Sequence, residues 1–408
     1  MSEFNTVSGS APWPATREAG LQRLQAFLPR AGRHYAAQRN FDHGPDRRDN
    51  VSGLSPYLTH RLLGEWEVAL AAADSHGTGP AEKFIQEVCW RTYWKGWLEM
   101  RPQVWGEYLA ELEHDRSQRP ARDIGLDKAT AGNTGIECFD AWARELVSTG
   151  YLHNHARMWF ASIWIFTLKL PWTLGADFFY RNLLDGDAAS NTLSWRWVAG
   201  LQTRGKHYLA RPDNIAKYTG DRFPRPTGLN LDAEALEDTG AAPPARLDLP
   251  KAAAPADRWG LLLLDHDLMP ESMPLPGPAV VAGCSTARLR GAEVSAPVIS
   301  FSESAVADGV RRCQDHFGLD GSSCKTLSGP EAIADWTRHH RLNTVVCSYV
   351  PVGPMRDRLA ELRQDLKDQG CHLLEQTRPW DETAWPFATK GFFPFKKKIG
   401  TILASVSV

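Results

Sequence analysis

Apolar positions recur at helical spacing through the first half of the chain and gather into short continuous runs in the second. Thr16 to Phe27 has helical spacing, with Thr16 placed to cap it. Glu87, Trp90, Arg91 and Trp94 fall at i, i+3, i+4 and i+7, which predicts a helix with a carboxylate, a guanidinium and two indoles on one stripe. An i,i+4 ion pair accounts for Glu87 and Arg91 but not for the indoles beside them. A further helix is expected over Glu137–Thr149, stopping at Gly150. A buried one is expected over Trp159–Leu170, whose apolar run is too short to cross a bilayer, which needs about 20 residues. Between and after these, Asn154, Arg157 and Met158 share a helical face. Asp185-Gly186-Asp187 reads as a tight turn just ahead of Asn191, Trp195 and Trp197. Earlier, Ser55 and Pro56 fit an N-cap and first helical residue, where small hydroxyls and free N–H groups can hold a phosphate.

The pattern changes after Phe223. Pro224 to Asp257 is rich in Pro, Ala and acidic residues without periodicity and reads as a linker. Beyond it, apolar runs at Gly260–Leu264, Ala279–Ala282, Pro297–Phe301 and Asn343–Cys347 alternate with helical stretches at 303–316, 330–340 and 354–369. This predicts a multidomain α and α/β protein: a tail over 1–11, a helical domain over 12–223, a linker over 224–257, and over 258–408 a smaller α/β domain with a mostly parallel sheet. The α/β part has neither GxGxxG nor a P-loop, so a dinucleotide or P-loop site there has no motif behind it.

Composition narrows the classes. With 408 residues, 43% of them hydrophobic, the chain can bury a large core. A net charge of −2 excludes a blanket attraction to nucleic acid and leaves only a local basic face, for which Arg39, Arg47, Arg48, Lys95, Arg204, Lys206 and Arg211 are candidates. Seven scattered cysteines without CxxC pairs point to reduced thiols, no metal site and a cytoplasmic protein; no secretory leader or membrane partner is expected. Twelve of the sixteen tryptophans precede residue 200, which marks the helical part as the specialised one.

Five separated motifs then agree in order: Tyr35 with Gln38-Arg39, Ser52-Gly-Leu-Ser-Pro56, Glu87-x-x-Trp90-Arg91, Thr149 to Met158, and Asp185 to Asn191 with Trp195-Arg-Trp197. Together they resemble the FAD-binding domain of the DNA photolyase and cryptochrome family. The α/β stretch, closing on Phe392-x-Pro-Phe-Lys396, resembles that family's α/β domain placed after the helical one, as in a circular permutation. The resemblance implies FAD, with Tyr35, Ser52, Gly53, Leu54, Ser55 and Arg91 at its phosphate and ribityl part. Asn154, Arg157, Asp185, Asp187 and Asn191 would surround its ring system, and Glu87 is a further cofactor contact. It further implies a pocket for a cyclobutane pyrimidine dimer built from Glu87, Trp90, Asn154, Met158 and Trp197, and electron transfer through Trp195 and Trp172. Trp105, Trp159 or Trp164 could stand at the distal position. Val352-Gly-Pro-Met lacks the Asn-Glu pair of folate-antenna binders, so no folate antenna is expected.

Light-driven repair of cyclobutane dimers in single- or double-stranded DNA by a monomeric lyase is therefore the leading expectation. A cryptochrome-type blue-light photoreceptor acting through a partner is the alternative, and a flavoprotein without a light function is a third.

Overall fold

A computed structural model of the chain describes residues 13–120, 123–203, 205–237, 243–250, 255 and 258–406. The predicted tail over 1–11 and Arg204 lie outside them. The first half is helical. It includes α1 (Arg17–Phe27), α2 (Glu65–His76), α3 (Thr78–Glu99), α4 (Gln103–Ser117), α5 (Glu137–Thr149), α6 (Asn154–Ser162), α7 (Trp172–Asn182) and α8 (Ala188–Ala199). Thr16 caps α1 through Ala19 N–H at 3.1 Å, and α5 ends at Gly150 in the left-handed conformation, both where the spacing placed them. The apolar run after α6 is not a continuous α-helix: Ile163–Thr167 forms a wide π turn, closed by Leu168 N–H to Ile163 O at 2.9 Å. Ser55 is not a cap. It is the first helical residue of Ser55–Thr59, Leu54 stands at the cap position, and no side chain closes that helix start.

The second half holds a five-stranded, wholly parallel sheet in the order β3-β2-β1-β4-β5, with β1 Trp259–Leu264, β2 Val280–Cys284, β3 Cys324–Leu327, β4 Thr344–Ser348 and β5 His372–Gln376. The run at 297–301 is helical, not a strand. It opens α9 (Ala296–Phe317) behind Ser295, with Pro297 in the first turn, where its missing N–H costs nothing. A short apolar run of this kind does not separate buried strand from buried helix. Every residue of β1 is buried because alternate side chains serve two cores. Leu261 and Leu263 face α9 and the helical half, while Leu262 and Leu264 pack toward α10 (Ala332–His339) and α11 (Pro354–Asp368). Gly283 is needed where α9 crosses β2, since a Cβ there would meet Val306 and Val310 at 2.5 Å. The stretch after Phe223 lies along the helical half, with Leu236 N–H bonded to Ala199 O at 3.0 Å and Ala245 N–H to Met100 O at 2.8 Å.

A buried ion cluster joins the two halves. Arg61, in the left-handed region at φ 45, reaches Glu65 at 3.2 Å, Asp267 at 3.2 Å and Asp381 at 2.7 Å. Arg378 closes the cluster with two 2.6 Å bonds to Asp267. Burial alone would push the Asp267 carboxyl up, but Arg378 and Arg61 outweigh it and hold the group far below the usual carboxylate range. Next to it, the ring nitrogens of His60 lie on the carbonyls of Asp265 (2.5 Å) and Leu184 (3.3 Å). Among the described residues no helix is long and apolar enough to cross a membrane.

Replacing Arg61 by Met leaves three buried carboxylates without their shared partner and is expected to destabilise the protein by about 3–5 kcal/mol in a urea titration. Adding Asp381→Leu is expected to recover part of the loss. A midpoint unchanged by Arg61→Met would show that the cluster does not join the halves.

Candidate functional site

Two adjoining cavities open along α3 and share Glu87 and Asn154 in their walls. The smaller, about 120 Å³, is lined by Tyr35, Arg39, the turn from Ser52 to Ser55, and His153. Gly53 turns that backbone with φ 60, which L side chains rarely adopt. The larger, about 400 Å³, has Trp90 and Trp197 as aromatic walls, Met158 and Phe179 as further apolar surface, and Arg91, Arg157, Asp185 and Asn191 as its polar groups.

Local structure explains how these groups arrive. The i, i+3, i+4, i+7 stripe of α3 faces the larger cavity as a unit, so Glu87, Trp90, Arg91 and Trp94 all line it. The start of α6 is held by His153, whose Nδ1 accepts His155 N–H at 3.1 Å. That bond needs a neutral imidazole, and burial pushes the His153 pKa down to about 4, so the cap is in place at neutral pH. Asn154, Arg157 and Met158 consequently line the larger cavity from one face of α6. Arg157 is pinned by Nε to Leu152 O and Nη2 to Asp185 Oδ2, both at 2.9 Å. Asp187 caps α8 by accepting Ser190 N–H at 2.9 Å, and Asn191, one turn on, donates its amide to Ala176 O at 2.8 Å.

The charges are unequal. Burial would raise the carboxyls of Asp185 and Asp187. Arg157 and Arg91 overcome this for Asp185, and Lys95 and Arg91 for Asp187, so both lie below their ordinary values. Glu87 goes the other way: burial raises it, and Arg39, 3.8 Å away, only partly offsets the rise.

Of the fifteen residues expected at the cofactor or lesion, all but Asp187 line one or other of these two cavities. Asp187 caps α8 and lines a third cavity instead. Trp195 lines the larger cavity. Trp172 lies outside it, with Nε1 donating to Glu111 at 2.9 Å. Lys95 is corrected: it is 5% exposed because it lies on the inner side of α3, so it is not on a surface open to nucleic acid. Arg48 is tied to Glu145, whereas Arg47, Lys206 and Arg211 are exposed. Ser190, Ser194 and Val198 also line the larger cavity, and their spacing around Asn191 on α8 was a usable signal. Phe393, from the far end of the chain, lines it as well, with no local signal in the sequence.

A ligand with donors and acceptors fits this setting. Arg91 Nη1 and Asp185 Oδ1 are buried and lack hydrogen-bond partners, a costly state that such a ligand relieves. Flavin offers both kinds of group on a flat apolar body. Among the described residues no group of His, Cys, Asp and Glu is arranged to hold a metal ion.

The sequence comparisons agree with this chemistry. Residues 84–221 match the family model described as the FAD binding domain of DNA photolyase. A deoxyribodipyrimidine photo-lyase of Streptomyces griseus is 33% identical over 52% of this chain and 49% of its own length. That of Escherichia coli is 30% identical over 49% of this chain and 42% of its own. The chain thus spans about half the length of the curated relatives it matches. A bacterial class III photolyase structure from Agrobacterium tumefaciens is 26% identical with a TM-score of 0.40, covering 50% of this chain and 43% of that one. Residues 84–221 are thus a FAD-binding domain of the DNA photolyase/cryptochrome family.

Proposed function

We propose that the protein repairs cyclobutane pyrimidine dimers in DNA with light. The observation that carries the reading is the pairing of the two cavities through Glu87 and Asn154, one suited to the diphosphate end of FAD and the other walled by two indoles. Tyr35 and the turn Ser52-Gly53-Leu54-Ser55 would hold the phosphate end with Arg91. Arg157, Asp185 and Asn191 would meet the polar edge of the ring system, with Asp187 holding the start of the helix that carries Asn191. When bound, reduced flavin supplies a light-excited electron donor.

The chain's own residues would do the rest. A dinucleotide rotated out of the helix needs flat apolar walls, and Trp90 and Trp197 offer them. Stacking of this kind contributes about 1–3 kcal/mol per base. Asn154 and Glu87 can take the pyrimidine amides by hydrogen bonds, and Met158 fills the space beside them. Trp197 is 36% exposed, which leaves its face open to such a guest.

Electron resupply is proposed to run from Trp195 outward through Trp172. Gly175 lets Trp195 sit against α7, since a Cβ there would lie 2.3 Å from its ring. The ring of Tyr108 is 5.5 Å from that of Trp172, and Trp105 is 5.3 Å beyond. This favours Trp105 as the distal member. Trp159 instead stacks on Trp142 and His155, and Trp164 abuts Trp195 directly.

Reduced holoprotein under blue light is expected to restore dimer-containing oligonucleotide, and Glu87→Ala to lower the repair rate at least tenfold with flavin content retained. Flavin binding without any repair would favour the photoreceptor reading. Trp105→Phe is expected to slow light-driven flavin reduction while Trp159→Phe leaves it unchanged; the reverse order would overturn the route. Gly175→Ala is expected to destabilise the protein by about 1–3 kcal/mol in thermal unfolding.

A further inference from the structure

Among the described residues Phe393 is the most exposed large apolar side chain, at 78%, and it stands at the mouth of the larger cavity. An exposed phenylalanine needs no explanation when it is scattered on a surface. This one is presented by a short, tightly anchored helix, α12 (Phe392–Lys396). On one side of it Phe392 lies flat on Trp90, ring centroids 3.7 Å apart and planes 11° from parallel. On the other, Phe395 is fully buried, 5.5 Å from the ring of Tyr93. The backbone leading in is tied to α3 twice, by Tyr93 Oη to Lys390 O at 2.8 Å and by Arg101 Nη2 to Thr389 O at 2.8 Å. The neighbours of Phe393 are thus fixed while its own ring projects into solvent.

The surroundings of that ring select an occupant. Trp197, the other exposed aromatic of the cavity, lines it as well, so a guest in the cavity meets more than one π-face. Lys390, Lys397 and Lys398 are exposed on the same segment, whereas Lys396 is held by Glu82 at 2.9 Å. An aromatic ring on the same segment as several exposed cations, at a cavity it lines, suits a nucleobase attached to phosphodiesters.

We propose that Phe393 is a stacking wedge for duplex DNA: its ring packs against the base that loses its neighbour when the damaged dinucleotide rotates into the cavity. The inference rests on the reading of that cavity as a lesion pocket. Extrusion of a dinucleotide leaves a gap whose unstacking is costly, and an apolar side chain filling it offsets part of that cost. In single-stranded DNA no such gap forms, so the contribution of Phe393 belongs to the duplex.

The test is dark binding of FAD-loaded protein to a fluorescein-labelled oligonucleotide carrying one thymine dimer, single-stranded and duplex, at fixed salt. Wild-type protein is expected to prefer the lesion duplex over an undamaged one. Phe393→Ala is expected to weaken lesion-duplex binding roughly ten- to a hundredfold, the range for losing one base–aromatic stack. Phe393→Trp should restore it, and single-strand affinity should stay within about twofold. Ile124→Ala, which removes another exposed apolar side chain away from the cavity, should change nothing. If wild-type protein does not distinguish damaged from undamaged duplex, the lesion-pocket reading fails and takes the wedge with it. If it does distinguish them and Phe393→Ala binds within twofold of wild type, the wedge alone is overturned. Phe393→Ala changing the sedimentation of DNA-free protein but not DNA affinity would also overturn it, by giving the ring to a second copy of the chain.

Discussion

The buried cluster of Arg61, Glu65, Asp267, Arg378 and Asp381 is the constraint on which the remaining geometry depends. Two guanidiniums and three carboxylates removed from water are costly unless every partner is present, and here the partners come from both halves of the chain and from its last quarter. The cluster therefore favours one relative placement of the helical and α/β parts. Glu99 at the end of α3 adds to it by accepting Tyr349 Oη and Val352 N–H, each at 2.7 Å. Trp380, two residues beyond Arg378, donates to Thr92 on α3 at 3.0 Å. The C-terminal segment is thereby laid along α3, and that is what brings Phe392 onto Trp90.

Helix α3 is the element through which this arrangement reaches the site. Its inner face is spent on packing: Cys89, Tyr93, Lys95, Trp97 and Leu98 are all buried. A close approach by Trp385 leaves room only for Gly96. The remaining stripe supplies Glu87, Trp90, Arg91 and Trp94 to the cavity. One helix thus carries both the contact between domains and one wall of the proposed flavin and lesion pocket. The opposite wall comes from α6 and α8, whose starts are set by two side-chain caps, His153 and Asp187.

Much of this was legible in the sequence because it is local. Helical periodicity put Glu87, Trp90, Arg91 and Trp94 on one face, and Asn154, Arg157 and Met158 on another, and both groups line the cavity. Turn chemistry marked Asp185-Gly186-Asp187. The misreadings have physical causes. Pro297–Phe301 resembles a strand in composition, and only Ser295 and Pro297 tell of the helix start. The edge strands β3 and β5 are short and polar where exposed, as at Lys325 and His372, so they gave no apolar run to read. Lys95 looked like surface charge because sequence does not say which side of a helix another domain will cover. Phe393 could not be seen at all, since its place follows from long-range contacts between residues about 300 positions apart.

The central claim is that one cavity holds flavin and lesion in contact. The measurement that tests it most directly is the excited-state lifetime of reduced flavin in the holoprotein, with oligonucleotide carrying a thymine dimer and with the same oligonucleotide undamaged. A lifetime shortened by the dimer alone is the predicted result. An unchanged lifetime, at concentrations where the damaged oligonucleotide is bound, would contradict the account.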